Sequence, residues 1–164
     1  MGRDQNIKTI GYISLAYDEL YLEEQLHKLD LIKENINISG RVLDIGCGTG
    51  ISTRYFNALG IDPCKELIEI GSGDLKVANG EDLWFKDKEF DFVTCITSLH
   101  NFEDYNKGLF EMERVLKDEG RLIISLLKKS KRFKDISEVI EKIFIIFNRI
   151  DEGKDMIFFC EKRI

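Results

Sequence analysis

The stretch from Val42 to Gly50 constrains the fold of this chain more than any other, because it joins a strand-like run to a turn with three glycines. The apolar run Val42–Ile45 contains one carboxylate, Asp44, and Gly46, Gly48 and Gly50 follow it. Glycine adopts positive φ and lets a backbone come close to a ligand, because it has no Cβ atom. An acid beside such a turn repels a phosphate. The stretch therefore predicts a buried strand that ends at a site for a cationic ligand.

The composition and charge of the chain exclude several classes of partner. The chain has 164 residues and a formal net charge of −6, so it gains no general electrostatic attraction to nucleic acid. No apolar run approaches the roughly 20 residues that span a bilayer, and the polar start lacks the apolar core of a signal peptide. We therefore expect one cytoplasmic domain over 1–164, without a nucleic-acid or membrane partner.

The four cysteines do not indicate a metal site or a disulfide framework. Cys47, Cys64, Cys95 and Cys160 lack the close spacing of zinc ligands, and both histidines lie far from them along the chain. Three of the four lie in or beside predicted strands, where a free cysteine behaves as a small apolar residue. We therefore expect no bound metal.

Strands and helices alternate along the chain. Strands are predicted over 41–45, 58–61, 75–78, 90–97 and 122–127, and helices over 51–57, 63–71, 104–117 (closed by Gly120) and 135–141. The β-rich runs 143–150 and 156–160 flank a glycine-containing turn, as in a hairpin. Helical spacing between 15 and 36 predicts an N-terminal helical cap over 1–40, before an α/β core over 41–164. The fold class is α/β: a Rossmann-like, doubly wound, mainly parallel seven-stranded sheet with an antiparallel C-terminal hairpin.

Polar residues or glycines occur at the ends of four predicted strands. In an open parallel sheet a ligand binds at the carboxyl ends of the strands. The residues at these ends are Asp44 with the three glycines, then Asp62, then Asn79, Gly80 and Glu81, and finally Thr97, Ser98 and His100. Together they predict one rim that holds a nucleoside cofactor.

These segments resemble the class I S-adenosylmethionine-dependent methyltransferases, and among them the small ubiquinone and menaquinone C-methyltransferase group, over residues 17–163. VLDIGCGTG at 42–50 is similar to the first motif of that family nearly letter for letter. GIDPCKELIEIG (60–71), NGEDLWFKDKEFDFV (79–93) and FEMERVLKDEGRLIIS (110–125) resemble later segments in the right order. The resemblance implies S-adenosyl-L-methionine as the cofactor and methyl transfer to a small-molecule acceptor.

The resemblance also implies a role for each matching residue. Gly46 and Gly48 would face the methionine part of the cofactor, and Asp44 would hold its ammonium group, directly or through water. Asp62 would accept hydrogen bonds from the ribose hydroxyls, and Asn79, where relatives often have Asp, one from the adenine amino group. Gly80 and Glu81 would line the adenine, and the Thr97 carbonyl would face the ammonium. Cys47, Gly50 and Pro63 complete the implied cofactor-binding set, and His100 (a base) and Tyr17 (in a lid segment) are the candidate catalytic residues.

Several of these residues also have a purely structural interpretation. Asp44 could cap the turn, and Asp62 could be only the N-cap before Pro63. His100 could be a packed or solvated residue, and Tyr17 could belong to the core. The basic run 128–134 could meet a phosphate, but a solvated strand–helix junction is the preferred interpretation.

Two other functions compete with methyl transfer. The short connection 127–135 leaves almost no room for a segment that covers an acceptor, which keeps open a non-catalytic S-adenosylmethionine-binding sensor or partner subunit. It also predicts an open acceptor pocket, covered by the segment before Gly40, by a homodimer mate or by a partner subunit. A Rossmann-type NAD oxidoreductase is disfavoured, because residues 46–50 read G-x-G-x-G rather than G-x-G-x-x-G.

Overall fold

The elements of the chain follow the alternation seen in its sequence. The computed structural model describes residues 22–164, in which α1 covers 22–35. The other helices are α2 (Ile51–Tyr55), α3 (Lys65–Ile70), α4 (Tyr105–Val115) and α5 (Phe133–Ile143), with a 3-10 turn at Leu99–Asn101. The strands are β1 (Val42–Ile45), β2 (Leu59–Asp62), β3 (Leu75–Val77), β4 (Phe90–Ile96), β5 (Leu116–Leu127), β6 (Phe144–Asp151) and β7 (Asp155–Lys162). Tyr17 lies outside the described residues, so its role stays a prediction, as does the division at residue 40.

The strands form one seven-stranded sheet in the order β3-β2-β1-β4-β5-β7-β6. The first five run parallel, and β7 pairs antiparallel with both β5 and β6. This confirms the predicted α/β fold with its antiparallel hairpin. The strand order reverses between β1 and β4, so the switch point lies at their carboxyl ends, where open α/β sheets bind ligands.

Each face of the sheet is covered by helices. Leu29 and Ile32, three residues apart on one side of α1, are fully buried against a cluster that includes Val42, Ile123 and Phe159. The opposite face is covered by α4 and α5, and its cluster has these fully buried members: Leu43, Val93, Leu109, Met112, Ile136 and Ile140. Apolar side chains thus fix the helices on both faces and leave the carboxyl ends of the strands for a site.

Several predicted boundaries are wrong, and the strand predicted over 122–127 begins at Leu116. The helix predicted over 104–117 ends at Val115, and β5 begins at once, because Leu116 pairs with Phe90 in the sheet. Gly120 does not close a helix; a Cβ atom there would lie 2.5 Å from the Leu116 side chain, so this glycine makes room inside β5. The helix predicted over 135–141 extends over Phe133–Ile143.

No helix within residues 22–164 combines the length and the apolar character needed to cross a bilayer.

Candidate functional site

The glycine loop, residues 46–50, leaves β1 at the switch point of the sheet. Gly46, Gly48 and Gly50 have φ values of 74°, 56° and 96°, which a side chain disfavours. The amides of Gly46 and Cys47 both donate to the Ile61 carbonyl at the end of β2, at 2.8 and 3.0 Å. A Cβ atom at Gly48 would have no atom within 4 Å, so this glycine borders open space. Hydrogen bonds to β2 therefore fix one side of the loop, and the side at Gly48 faces open space.

Asp62 connects the glycine loop to the next turn of the chain. One of its carboxylate oxygens accepts from the Gly48 amide at 2.9 Å, and the other accepts from the Cys64 amide at 2.8 Å. Cys64, not Asp62, is the N-cap of α3, so the N-cap interpretation of Asp62 is wrong. Asp62 as a whole is 9% exposed and borders the space beside the loop.

Two adjoining chambers lie at the carboxyl ends of the strands. The first, called here the β3-side chamber, has a volume of about 360 Å³, and the second, the glycine-loop chamber, about 220 Å³. The residues that line both are Gly46, Asp62, Leu67, Ser98 and Asn101. The β3-side chamber adds Pro63, Asn79, Gly80, Glu81 and Phe102, and the glycine-loop chamber adds Gln25, Cys47, Gly48, Thr49 and Thr97. Together they form an elongated cleft that crosses the ends of β1, β2 and β4.

Comparison with known proteins decides the family. Residues 43–124 match the family described as "Methyltransferase domain". The chain belongs to the class I S-adenosylmethionine-dependent methyltransferases. Its cofactor is therefore S-adenosylmethionine, as the sequence predicted.

Two relatives and one solved structure are similar to this methyltransferase. The uncharacterized protein MJ1123 of Methanocaldococcus jannaschii is 35% identical over 153 residues, which cover 77% of this chain and 74% of that protein. The ubiquinone/menaquinone biosynthesis C-methyltransferase UbiE of Citrifermentans bemidjiense is 33% identical over 139 residues, covering 70% of this chain and 59% of that protein. The chain thus spans less than two thirds of UbiE. A crystal structure of a methyltransferase from Thermotoga maritima shares the fold, with a TM-score of 0.74 and 20% identity over 93% of this chain and 98% of that one.

The cleft of this methyltransferase fits its cofactor. Gly48 leaves open space where a Cβ atom would intrude, at the point where the two chambers run along the loop. The cleft contains three acids, Asp62, Glu81 and Glu103, and it contains no lysine or arginine among the described lining residues. Such a lining suits a ligand that carries a sulfonium and an ammonium group and no phosphate.

The structure brings most of the predicted cofactor residues to this cleft and places two elsewhere. Asp44 and Gly50 line neither chamber. Gly50 packs towards the turn before β3, where a Cβ atom would lie 2.5 Å from the Ser72 carbonyl oxygen. Asp44 is 0% exposed, so the structure disfavours the direct form of its predicted contact with the cofactor ammonium, and its role towards the cofactor stays a prediction.

The Asp44 carboxylate is held by three hydroxyl groups inside the protein. Ser52 Oγ and Thr53 Oγ1 of α2 donate to it at 2.6 and 2.8 Å, and Thr94 Oγ1 of β4 donates at 2.9 Å. It therefore joins β1 and β4 to the first turn of α2 and does not cap the loop. Burial raises the pKa of the Asp44 carboxyl above its usual value of 3.8, against the lowering effect of the three hydroxyls.

The pH dependence of the free energy of unfolding should reveal the raised pKa of Asp44. Because the folded protein holds the Asp44 proton to a higher pH than the unfolded chain does, stability falls as pH rises from about 4 towards the folded pKa. Asp44→Asn keeps an acceptor for the hydroxyls and cannot titrate. Wild type should therefore lose stability relative to Asp44→Asn over this window, by up to about 1.4 kcal/mol per pH unit. Urea unfolding of both proteins between pH 4 and 8 measures the difference; a difference independent of pH would contradict the prediction.

A larger cavity of about 730 Å³ adjoins the cleft. Gln25, Thr97 and Asn101 line both this large cavity and the glycine-loop chamber, so the two spaces meet at the end of β4. Its other lining residues are Glu24, Lys28, His100, Leu127, Lys128, Lys129, Glu152, Gly153, Lys154 and Asp155. The predicted pair Thr97 and His100 thus lies at the wall of a second space beside the cleft.

His100 is half-buried in the 3-10 turn after β4. Its Nδ1 atom is buried and has no hydrogen-bond partner among the described residues. Burial lowers the pKa of His100 below 6.5, and the charge of Arg132 acts in the same direction, whereas Asp155 opposes both. The imidazole is therefore neutral at pH 7, and its unpartnered Nδ1 is enclosed by the protein and does not face the cavity.

Arg132 fixes this turn. Its guanidinium donates to the backbone carbonyls of His100, Phe102 and Glu103, and it lies 4.9 Å from the centre of the Tyr105 ring. Lys128 and Lys129 of the same basic run line the large cavity, and Lys128 pairs with Asp151 at 2.7 Å. The run is therefore more than a solvated junction, because one member holds the turn that carries His100.

The sequence prediction missed several lining residues. Gln25 and Leu67 lie on helices, and nothing in their spacing distinguishes them from ordinary surface or core positions. Phe102 left a usable signal: a Cβ atom at Gly80 or Gly108 would lie within 2.9 Å of its ring, so both glycines make room for it.

Cys47, Cys95 and Cys160 are buried, and Cys64 is partly exposed. All four are free thiols, and no cluster of metal-ligating side chains occurs in residues 22–164. Burial raises the pKa of the thiols of Cys47 and Cys95, and it raises the pKa of Cys160 to about 12. Thiols with such pKa values stay protonated and unreactive at neutral pH.

Proposed function

We propose that this protein transfers a methyl group from S-adenosylmethionine to a polar small-molecule acceptor held in the large cavity. The observation that carries the proposal is the junction of the two spaces. The cofactor cleft and the large cavity meet at Gln25, Thr97 and Asn101, so a cofactor and an acceptor can lie end to end there. Methyl transfer requires this alignment more than it requires an acid or a metal.

We infer that the cleft residues divide the cofactor between them. The outward side of Gly46 and Gly48 would face the methionine part. Each Asp62 oxygen accepts one amide hydrogen and keeps a lone pair for a ribose hydroxyl. Asn79, Gly80 and Glu81 would surround the adenine, although the Glu81 carboxylate also accepts from the Asp104 amide at 3.0 Å. Asp44 would act indirectly, because it holds α2 against β1 and β4.

The walls of the large cavity combine charged groups with apolar surface. Four lysines and three acids lie among its described lining residues, beside Leu127. The surface that faces the cavity is nevertheless mainly apolar, as long side chains expose their methylene groups. Such a lining would suit an acceptor that carries a polar or charged group on an apolar body.

The chemistry asks the protein to position the acceptor and to exclude water. Bound S-adenosylmethionine would supply a methyl group activated by its positively charged sulfur, with S-adenosylhomocysteine as the neutral thioether product. His100 lines the large cavity and its imidazole is neutral, so it would accept a proton from a hydroxyl or an acidic carbon of the acceptor. The accepting atom would be Nε2, because Nδ1 is buried. Arg132 donates hydrogen bonds to the backbone carbonyls of His100 and Phe102, which would hold the turn, and with it the imidazole, in place.

The test begins with calorimetric titration of S-adenosylhomocysteine and of NAD. We expect S-adenosylhomocysteine to bind and NAD to give no heat. Transfer of a labelled methyl group is then followed over a panel of polar phenols, carboxylic acids and amines, with a prenylated quinone precursor for contrast. NAD binding without S-adenosylhomocysteine binding would contradict the proposal. Binding without turnover on the whole panel would favour the non-catalytic module instead.

His100→Gln should separate chemistry from cofactor binding. Loss of a general base typically lowers kcat/KM by a factor of about 10² to 10⁴. Affinity for S-adenosylhomocysteine should stay unchanged, because His100 lines only the large cavity and neither chamber of the cleft. Steady-state kinetics with the acceptor from the panel, together with calorimetry, measure both quantities. An unchanged kcat/KM would show that His100 is only a packed residue.

The mouth of the large cavity is bordered by the exposed residues Lys129, Gly153 and Lys154. A homodimer mate or a partner subunit that covers it stays a prediction from the sequence, as does the cytoplasmic location.

A further inference from the structure

A buried ion pair joins α1 to β7 beneath the large cavity. Lys28 Nζ lies 2.9 Å from Asp155 Oδ2, and the two side chains are 6% and 1% exposed. The proposed chemistry uses neither residue. Buried charges are costly unless they are paired and hydrogen-bonded, so a pair in this position requires an explanation.

Both charges converge on the hydroxyl of Thr97. Lys28 Nζ donates to Thr97 Oγ1 at 2.7 Å, and the same hydroxyl donates to Asp155 Oδ2 at 2.6 Å. Ser125 Oγ lies 3.1 Å from Thr97 Oγ1 and accepts from the Thr97 amide at 2.9 Å. The four residues come from α1, β5, β7 and the end of β4, so the network joins four parts of the fold at one hydroxyl.

Thr97 has an unfavourable backbone conformation. Its φ is +50°, in the left-handed region that a β-branched residue rarely adopts. Such a conformation persists only where the surroundings hold it, and such residues cluster at functional sites. Here the network makes hydrogen bonds with both the Thr97 hydroxyl and the Thr97 backbone amide.

Thr97 lies at the boundary between the two spaces of the site. Thr97 lines both the glycine-loop chamber and the large cavity, whereas Lys28 and Asp155 line only the large cavity. A change in the Thr97 backbone would therefore alter the wall between the cofactor and the acceptor.

We propose that Lys28 and Asp155 are positioning residues: their ion pair holds Thr97 in its left-handed conformation and thereby sets the affinity for the cofactor. This inference rests on the proposed function, which places the cofactor beside Thr97. It also assigns α1 a role in the site, because α1 carries the lysine.

The test uses variants that fold without an unpaired buried charge. Lys28→Met alone would leave the Asp155 carboxylate buried and unpaired, so Lys28→Met/Asp155→Asn is made instead. Thr97→Gly is the second variant, because glycine adopts positive φ without the help of the ion pair. The third combines all three substitutions. Calorimetry with S-adenosylhomocysteine gives the affinity, and thermal unfolding gives the stability.

We expect Lys28→Met/Asp155→Asn to bind S-adenosylhomocysteine about tenfold more weakly than wild type, because Thr97 would lose the groups that hold its backbone. In the Thr97→Gly background, the same loss of the ion pair should have almost no further effect on affinity. The effects of residues that act through one contact are not additive, and this double-mutant cycle measures that coupling. Lys88→Met/Asp118→Asn is the matched control. It removes an exposed lysine–aspartate pair, 3.0 Å apart, that lines neither the cleft nor the large cavity, and it should leave the affinity unchanged.

Two results would overturn the inference. Loss of the ion pair could lower the thermal midpoint and leave the affinity of the folded protein at its wild-type value, which would assign the pair a purely structural role. Alternatively, the affinity could fall equally in the Thr97 and Thr97→Gly backgrounds, which would show that the pair does not act through Thr97. A wild-type protein that fails to bind S-adenosylhomocysteine would instead overturn the proposed function.

Discussion

Gly46→Ala should lower the free energy of unfolding by about 2–5 kcal/mol and abolish binding of S-adenosylhomocysteine. A side chain at φ +74° costs about 1–2 kcal/mol. The new methyl group would also lie 1.8 Å from Ser98 Oγ and 2.6 Å from Ser98 Cβ. Because Cβ is attached directly to the backbone, rotation of the serine hydroxyl cannot relieve this overlap, and the loop or the end of β4 must move. Urea unfolding and calorimetry measure the two effects.

A second substitution separates the steric part of this effect from the conformational part. Ser98→Gly removes both atoms that the Gly46→Ala methyl group would meet, so the double variant should regain about 1–3 kcal/mol, the usual cost of overpacking. Gly48→Ala provides the opposite case. Its φ is +56° and no atom lies within 4 Å of its Cβ position, so Gly48→Ala should lose only the conformational cost of about 1–2 kcal/mol and still lose cofactor affinity. A Gly46→Ala protein as stable as wild type would contradict the packing against Ser98.

The fold was predictable because its strongest elements are also its most local ones. β4 is a nearly continuous apolar run, and β6 and β7 flank a turn with Gly153, so their patterns require no knowledge of the rest of the chain. The boundary between α4 and β5 was not predictable in the same way. Val115 and Leu116 continue the helical spacing, and only the pairing of Leu116 with Phe90 decides that the strand has begun.

The same distinction between local patterns and long-range contacts applies to the candidate site. The sequence predicted the glycine loop, Asp62, Asn79 to Glu81 and Thr97 at one rim, since strand order places the carboxyl ends of parallel strands together. The direction of a side chain at a strand end is not encoded locally. Asp44 faces the interior because Ser52, Thr53 and Thr94 offer three hydroxyls there, and the last of these lies 50 residues away. The Lys28–Asp155 pair is likewise invisible in the sequence, because α1 and β7 meet only in the folded chain.

Asp62→Ala should weaken binding of S-adenosylhomocysteine by about 1–3 kcal/mol, the usual cost of losing hydrogen bonds to a charged group. Two effects act together, because the substitution removes the proposed ribose acceptor and leaves the amides of Gly48 and Cys64 without their partner. The glycine loop would then lose its connection to the turn before α3.

Asp62→Asn is the matched control, because it keeps the size of the side chain and one acceptor oxygen. Its amide nitrogen would face one of the two backbone amides, donor against donor, so we expect a loss of affinity between those of wild type and Asp62→Ala. Calorimetry gives the affinity and thermal unfolding gives the stability of each variant. If Asp62 only shapes the turn, Asp62→Ala will unfold at a lower temperature and, below that temperature, bind S-adenosylhomocysteine as tightly as wild type. That result would contradict the ribose assignment and leave Asp62 with the single role of joining Gly48 to Cys64.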